Sequence, residues 1–107
     1  MDWKGLNQES LMNGWPLPNI KDVIHRLGDK KANHFAVIDL TQGYWQILIH
    51  EDSQHLTALR TAEGLYEWTR LGMGLKGAGP YFQRHMANTI FPELIYKVLE
   101  VYLDDII

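Results

Sequence analysis

Apolar and polar positions change rhythm several times along the chain, and each rhythm predicts an element. Ile20, Val23, Ile24 and Leu27 recur at three- and four-residue intervals, the spacing that lines one face of a helix. Asn19 suits its start and Gly28 its end. The period then falls to two. In the run His34–Leu40, Phe35, Val37 and Asp39 alternate with Ala36, Ile38 and Leu40, which predicts a strand. Gly43 marks a turn or bulge, and Tyr44–His50 reads as a second strand. Across His55–Gly72, two segments rich in Thr, Leu, Tyr and Trp flank Ala62-Glu63-Gly64, the form of a β-hairpin. The stretch GMGLKGAGP, from Gly72 to Pro80, holds four glycines and must be a loop. After Pro80 the pairs Tyr81/Phe82, His85/Met86 and Thr89/Ile90 restore the helical period, which ends near Phe91-Pro92. Leu94–Leu103 becomes β-rich toward its end and puts Asp104-Asp105 in the turn that follows. Before Pro16 and Pro18, which enforce extended backbone, no helix cap or first strand is visible.

These elements interleave, and with no linker between them they predict one α+β unit. A length of 107 residues suits a single domain, and 46% hydrophobic residues with four tryptophans can build its core. With no cysteine, disulfides and thiolate metal sites are excluded. No apolar run approaches the ~18 residues of a membrane span and no leader is visible, so a cytoplasmic or nuclear protein without a membrane partner is expected. The net charge of −3 has the wrong sign for a free-standing nucleic-acid binder. The five histidines share no metal-ligand spacing and read as structural or surface residues.

The carboxylates change the picture. Asp104 and Asp105 stand side by side after an apolar strand, where they repel each other and are poorly solvated. Asp39 ends another strand-like run. If the two strands are neighbours, three carboxylates converge on one sheet edge, a donor set for hard divalent cations. Two such ions can activate an attacking oxygen and stabilise a leaving one at phosphorus. The plainer alternative is a solvated pair of turn aspartates.

Tyr102-Leu103-Asp104-Asp105 resembles the Tyr-x-Asp-Asp motif of reverse transcriptases. WPLPNIKDVIHRLG resembles the segment before the first catalytic strand in the gypsy-type LTR-retrotransposon members. FAVIDLTQGYWQI resembles their first catalytic motif, an Asp followed five positions later by an aromatic residue. HLTALRTAEGLYEWTRLGMGLKGAGPYFQRHM resembles the hairpin, glycine loop and helix that come next. The likeness runs in order from Asp2 to Ile107. It implies a partial fingers/palm fold of α+β class, an antiparallel sheet with helices packed on one face. Residues of about 1–14 and 47–77 would be fingers-like, and about 15–46 and 78–107 palm-like, with thumb and RNase H absent. It also implies RNA-directed DNA polymerase chemistry: dNTPs added to a primer 3′-hydroxyl with two Mg²⁺ ions, for which Mn²⁺ can substitute. Asp39, Asp104 and Asp105 would be the catalytic, metal-binding acids, with the Leu40 carbonyl near the metal that carries the triphosphate. Tyr44, Met73 and Gly74 would contact the nucleotide, and Lys4, Asn7 and Lys76 the template. Gln83 and Arg84 would brace the palm. The implied partners are an RNA or DNA template with its primer, and the rest of a Pol polyprotein: thumb, RNase H and integrase.

Two features depart from the family pattern. Gly72 and Met73 stand where the family has Pro-Phe, and the later proline is displaced to Pro80, which should loosen the loop. Glu100 places a charge in a strand normally apolar throughout, so it needs a partner or an exposed edge. The chain also begins after the basic triphosphate-gripping residues of the fingers and ends two residues into the strand returning from Asp105, so a sheet edge is expected to be unpaired. On this reading the fragment is inactive alone. The alternative is a non-catalytic retroelement relic or a domesticated binding or dimerising module.

Overall fold

The computed structural model describes residues 2–12 and 14–107. By its internal contacts the chain divides into two compact units. The first comprises Met1–Met12 with Gln42–Ala78, the second Asn13–Thr41 with Gly79–Ile107.

The first unit opens with a helix that the sequence pattern did not reveal, α1 (Lys4–Glu9). No residue of α1 is buried, so it has no apolar stripe to betray it. Its Lys4 amide is capped by the Asp2 carboxylate at 2.9 Å. Tyr44 lies not in a strand but in a 3₁₀ turn, Gly43–Gln46, entered through Gln42 at φ +51°. Only the second half of the expected strand pairs. Ile49 donates to the Thr69 carbonyl and Leu71 to that of Ile47, both at 2.9 Å. A single helical turn, α3 (Glu51–Gln54), follows. The expected hairpin is present as β2 (Leu59–Thr61) and β3 (Gly64–Tyr66), antiparallel, with Thr61 opposite Gly64. Three tryptophans pack together here: Trp68 lies 4.7 Å from Trp45 and 6.4 Å, edge-on, from Trp3.

The second unit begins with α2 (Ile20–Asp29), whose Asn19 side chain accepts from the Lys21 amide as expected of a cap. Gly28 does not end it. The left-handed residue is Lys31, at φ +49°. Of the predicted apolar face only Val23 is fully buried, while Ile20 and Ile24 are exposed. β1 is limited to Ile38–Asp39, because the strand beside it, β5 (Asp105–Ile106), is itself two residues long. Helix α4 (Ala78–His85) starts two residues before Pro80 and continues in a wider π turn over Met86–Ile90. Phe82, Gln83, Met86 and Ala87 form its buried side. β4 (Val101–Tyr102) completes a sheet of order β1-β5-β4, antiparallel throughout. The returning strand β5 lies in the middle, paired on both sides, and β1 and β4 are the edges of the sheet. No helix among the described residues is long and apolar enough to cross a membrane.

Glu100, the misplaced charge, is 1% exposed and fully partnered. Arg26 of α2 grips it with two bonds, Nε at 3.0 Å and Nη2 at 2.8 Å, and Lys30 Nζ adds a third at 3.4 Å. The Arg26 guanidinium also lies 5.1 Å from the Tyr96 ring centroid. Its pKa is raised, chiefly by the Glu100 hydrogen bond and against the opposing effect of burial, so this partner keeps its charge across the alkaline range. The two partners differ in what they lose if separated. Glu100 has no water to turn to, whereas the Arg26 side chain is 34% exposed. Arg26→Met is therefore expected to destabilise the chain by about 3 kcal/mol, the lower end for breaking a buried pair because Lys30 remains. Glu100→Leu should cost clearly less, and urea denaturation of the two variants checks the asymmetry.

Candidate active site

Backbone hydrogen bonding decides which carboxylates meet. Leu40 donates to the Asp104 carbonyl at 3.2 Å, and Asp39 lies opposite Asp105 in the register of β1 and β5. Alternation along an antiparallel pair then makes Asp39 and Asp105 a non-hydrogen-bonded couple, the closer kind, with Cα atoms ~4.5 Å apart and side chains on one face. Asp104 sits in the two-residue turn between β4 and β5, half-buried, while Asp39 and Asp105 are exposed. In that turn Leu103 adopts φ +57°, a left-handed conformation unusual for a bulky residue. The structure thus brings Asp39 and Asp105 side by side, with Asp104 next in the chain.

Two neighbouring carboxylates fit a hard divalent cation, which is often held by one or two carboxylates together with substrate phosphates. Among the described residues, no three acidic or imidazole groups are gathered into a metal-holding cluster. The histidines lie elsewhere: His25 pairs with Asp29 at 3.5 Å, His50 with Asp52 at 3.6 Å, and His85 stacks on Tyr81.

The remaining predicted residues lie in the first unit. Lys4, Asn7, Gly74 and Lys76 line one open groove of about 530 Å³ together with Asp2 and Trp3. Asn7 ties α1 to the glycine loop. Its amide nitrogen donates to the Gly74 carbonyl at 2.8 Å, and its oxygen accepts from the Lys76 amide at 2.7 Å. Lys76 Nζ reaches the Ser10 carbonyl at 3.1 Å. Tyr44 is buried, and Met73 is exposed with its carbonyl accepting from the Trp3 indole at 3.1 Å. The glycines of this loop let it lie against Trp3. A Cβ on Gly72 would stand 3.5 Å from the indole, and one on Gly74 would stand 3.2 Å away. Gly74 also has φ +91°. Nothing in the apolar pattern marked Trp3 for this role, since its partners are 70 positions away in sequence.

The foamy viral protease-reverse transcriptase in complex with double-stranded DNA superposes with a TM-score of 0.76 at 24% identity, over 98% of this chain and 21% of that one. The same viral protein in complex with an RNA/DNA hybrid gives a TM-score of 0.75 at 22% identity, over 98% of this chain and 14% of that one. The fold is that of part of a reverse transcriptase. Residues 5–107 match the family model for reverse transcriptase (RNA-dependent DNA polymerase), and the chain belongs to that family. Among curated relatives, it is 40% identical over all 107 residues to the retrovirus-related Pol polyprotein from transposon 297 of Drosophila melanogaster. Identity is 42% with the opus polyprotein and 36% with the gypsy polyprotein of the same fly. The gypsy-type resemblance read from the motifs is thereby borne out. The chain spans 10% of the length of each of these polyproteins.

The glycine loop offers a direct check. Gly74→Ala, strained in φ and crowded by Trp3, is expected to destabilise by more than about 1 kcal/mol. Gly77→Ala, whose Cβ would meet nothing within 4 Å, should change stability by less than about 0.5 kcal/mol. Urea midpoints of the two variants decide it.

Proposed function

We propose that this chain is the part of an RNA-directed DNA polymerase that carries the acids for nucleotidyl transfer, Asp39, Asp104 and Asp105. The observation that carries the reading is the register of Asp39 against Asp105, with Asp104 in the adjoining turn. On this reading Asp39 and Asp105, joined by Asp104 from the adjoining turn and by the Leu40 carbonyl, would hold Mg²⁺, two ions in the working enzyme, with Mn²⁺ as a substitute. Bound there, the cations supply positive charge to the attacking 3′-hydroxyl and to the leaving pyrophosphate. Tyr44, Met73 and Gly74 take the nucleotide-contacting roles by resemblance, Tyr44 discriminating against a 2′-hydroxyl. The groove along Lys4, Asn7, Gly74 and Lys76 is the candidate template surface, its two lysines suited to phosphate. Nucleic acid in the solved viral relatives supports this choice of partner. The first unit corresponds to fingers and the second to palm. Since the matched polyproteins are about ten times longer, the 107-residue chain alone is expected to extend no primer, the remaining elements coming from the rest of a Pol polyprotein.

Metal binding tests the site without requiring activity. Like charges directly opposite across a strand pair are destabilising. Without metal, Asp105→Asn should therefore stabilise the chain by roughly 0.2–1 kcal/mol. Mn²⁺ or Mg²⁺ should raise the melting temperature of the unaltered chain through binding linkage and leave the Asn variant almost unmoved. Equal melting temperatures with and without metal, together with a neutral Asn substitution, would sink the reading.

A further inference from the structure

Gln83 is 1% exposed, on the buried side of α4, and its amide makes two bonds to the backbone around the acids. Nε2 donates to the Val101 carbonyl and Oε1 accepts from the Leu103 amide, both at 2.8 Å. The direction of these groups follows from the pairing of β4. Glu100 and Ile107 exchange both of their backbone hydrogen bonds, at 2.9 and 3.0 Å. Alternation therefore turns the Val101 carbonyl and the Leu103 amide away from β5, toward the outer edge of the sheet. A primary amide that donates to the residue before Tyr102 and accepts from the residue after it reproduces the bonding of one residue of a parallel neighbour strand. Gln83 thus closes the β4 edge at the point where the chain enters its turn.

That closure reaches the acids. Leu103 is the left-handed residue of the turn, and its amide is one of the two atoms that Gln83 holds. A bulky residue at positive φ persists only where its surroundings over-determine it. Leu103 is joined directly to Asp104, and Asp104 to Asp105, so its φ sets where the two carboxylates leave the sheet.

We propose that Gln83 is a positioning residue for Asp104 and Asp105: its side-chain amide locks Leu103 in the left-handed conformation that presents them beside Asp39. The assignment of metal binding to these acids rests on the function proposed above, but the lock itself does not. Gln83→Met keeps the side chain's length and removes both bonds. Gln83→Glu keeps an acceptor for Leu103 and lacks the amide donor to Val101.

Amide hydrogen exchange of the 107-residue chain, read residue by residue by NMR, is the test. In Gln83→Met, protection at Leu103 should fall about tenfold, as expected for one lost net hydrogen bond. Protection at Glu100 and Ile107, the base of the same hairpin, should hold. Gln83→Glu should restore part of the loss at Leu103. Unchanged protection at Leu103 in the Met variant would overturn the proposal, and so would a loss spread evenly over the whole unit, which marks a merely structural role. In parallel, Mn²⁺ should broaden the Asp39, Asp104 and Asp105 signals of the unaltered chain, and more weakly those of the Met variant. Absence of broadening in the unaltered chain would refute the metal assignment while leaving the Leu103 readout to decide the lock. Equal broadening in both chains would overturn the positioning role.

Discussion

The second unit depends on a strand of two residues that bonds in both directions. Along β5 and its flanks the backbone alternates partners: Asp104 meets Leu40 on one side, and Ile107 meets Glu100 on the other. This alternation places Asp105 beside Asp39 and, through the same geometry, points the far edge of β4 at α4. A slip of one residue would turn every side chain of β5 to the opposite face. Asp105 would leave Asp39, and Ile106, now buried, would meet solvent. The apolar residue that follows the aspartates is thus part of how they are held.

Two buried polar side chains flank that register. Glu100, at the base of the β4–β5 hairpin, is gripped from α2, and Gln83 of α4 grips the hairpin near its tip. No buried side-chain nitrogen or oxygen among the described residues lacks a partner. In a low-dielectric interior a satisfied network of this kind rigidifies, and an unsatisfied one is costly. The carboxylate pair is itself repulsive, so the polar groups behind it supply part of the rigidity that the acids work against. The first unit applies the same logic to a loop. Trp3 supplies a flat surface, glycines allow the backbone onto it, and Asn7 completes the bonds.

Much of this was legible in the sequence where the signal was local. The Asn19 cap, the hairpin around Ala62-Glu63, the helix after the glycine loop and the turn bearing Asp104 all stand where pattern and turn chemistry put them. The errors have separate causes. α1 has no apolar stripe and is tied down by the glycine loop. Tyr44 has the composition of a strand, yet Gln42 turns the chain into a 3₁₀ turn there. Ile20 and Ile24 keep helical spacing but remain exposed.

By itself the sequence determined the family, through motifs whose order is legible without reference to any contact. It also determined which carboxylates were candidates, and that Glu100 needed a partner or an exposed edge. Only the tertiary structure decided who that partner was and which two aspartates stand opposite each other. Only it showed that a glutamine amide takes the place of a neighbouring strand. The reason is physical: side-chain pattern reports which face a residue prefers, whereas register and hydrogen-bond direction arise only when two distant segments pair.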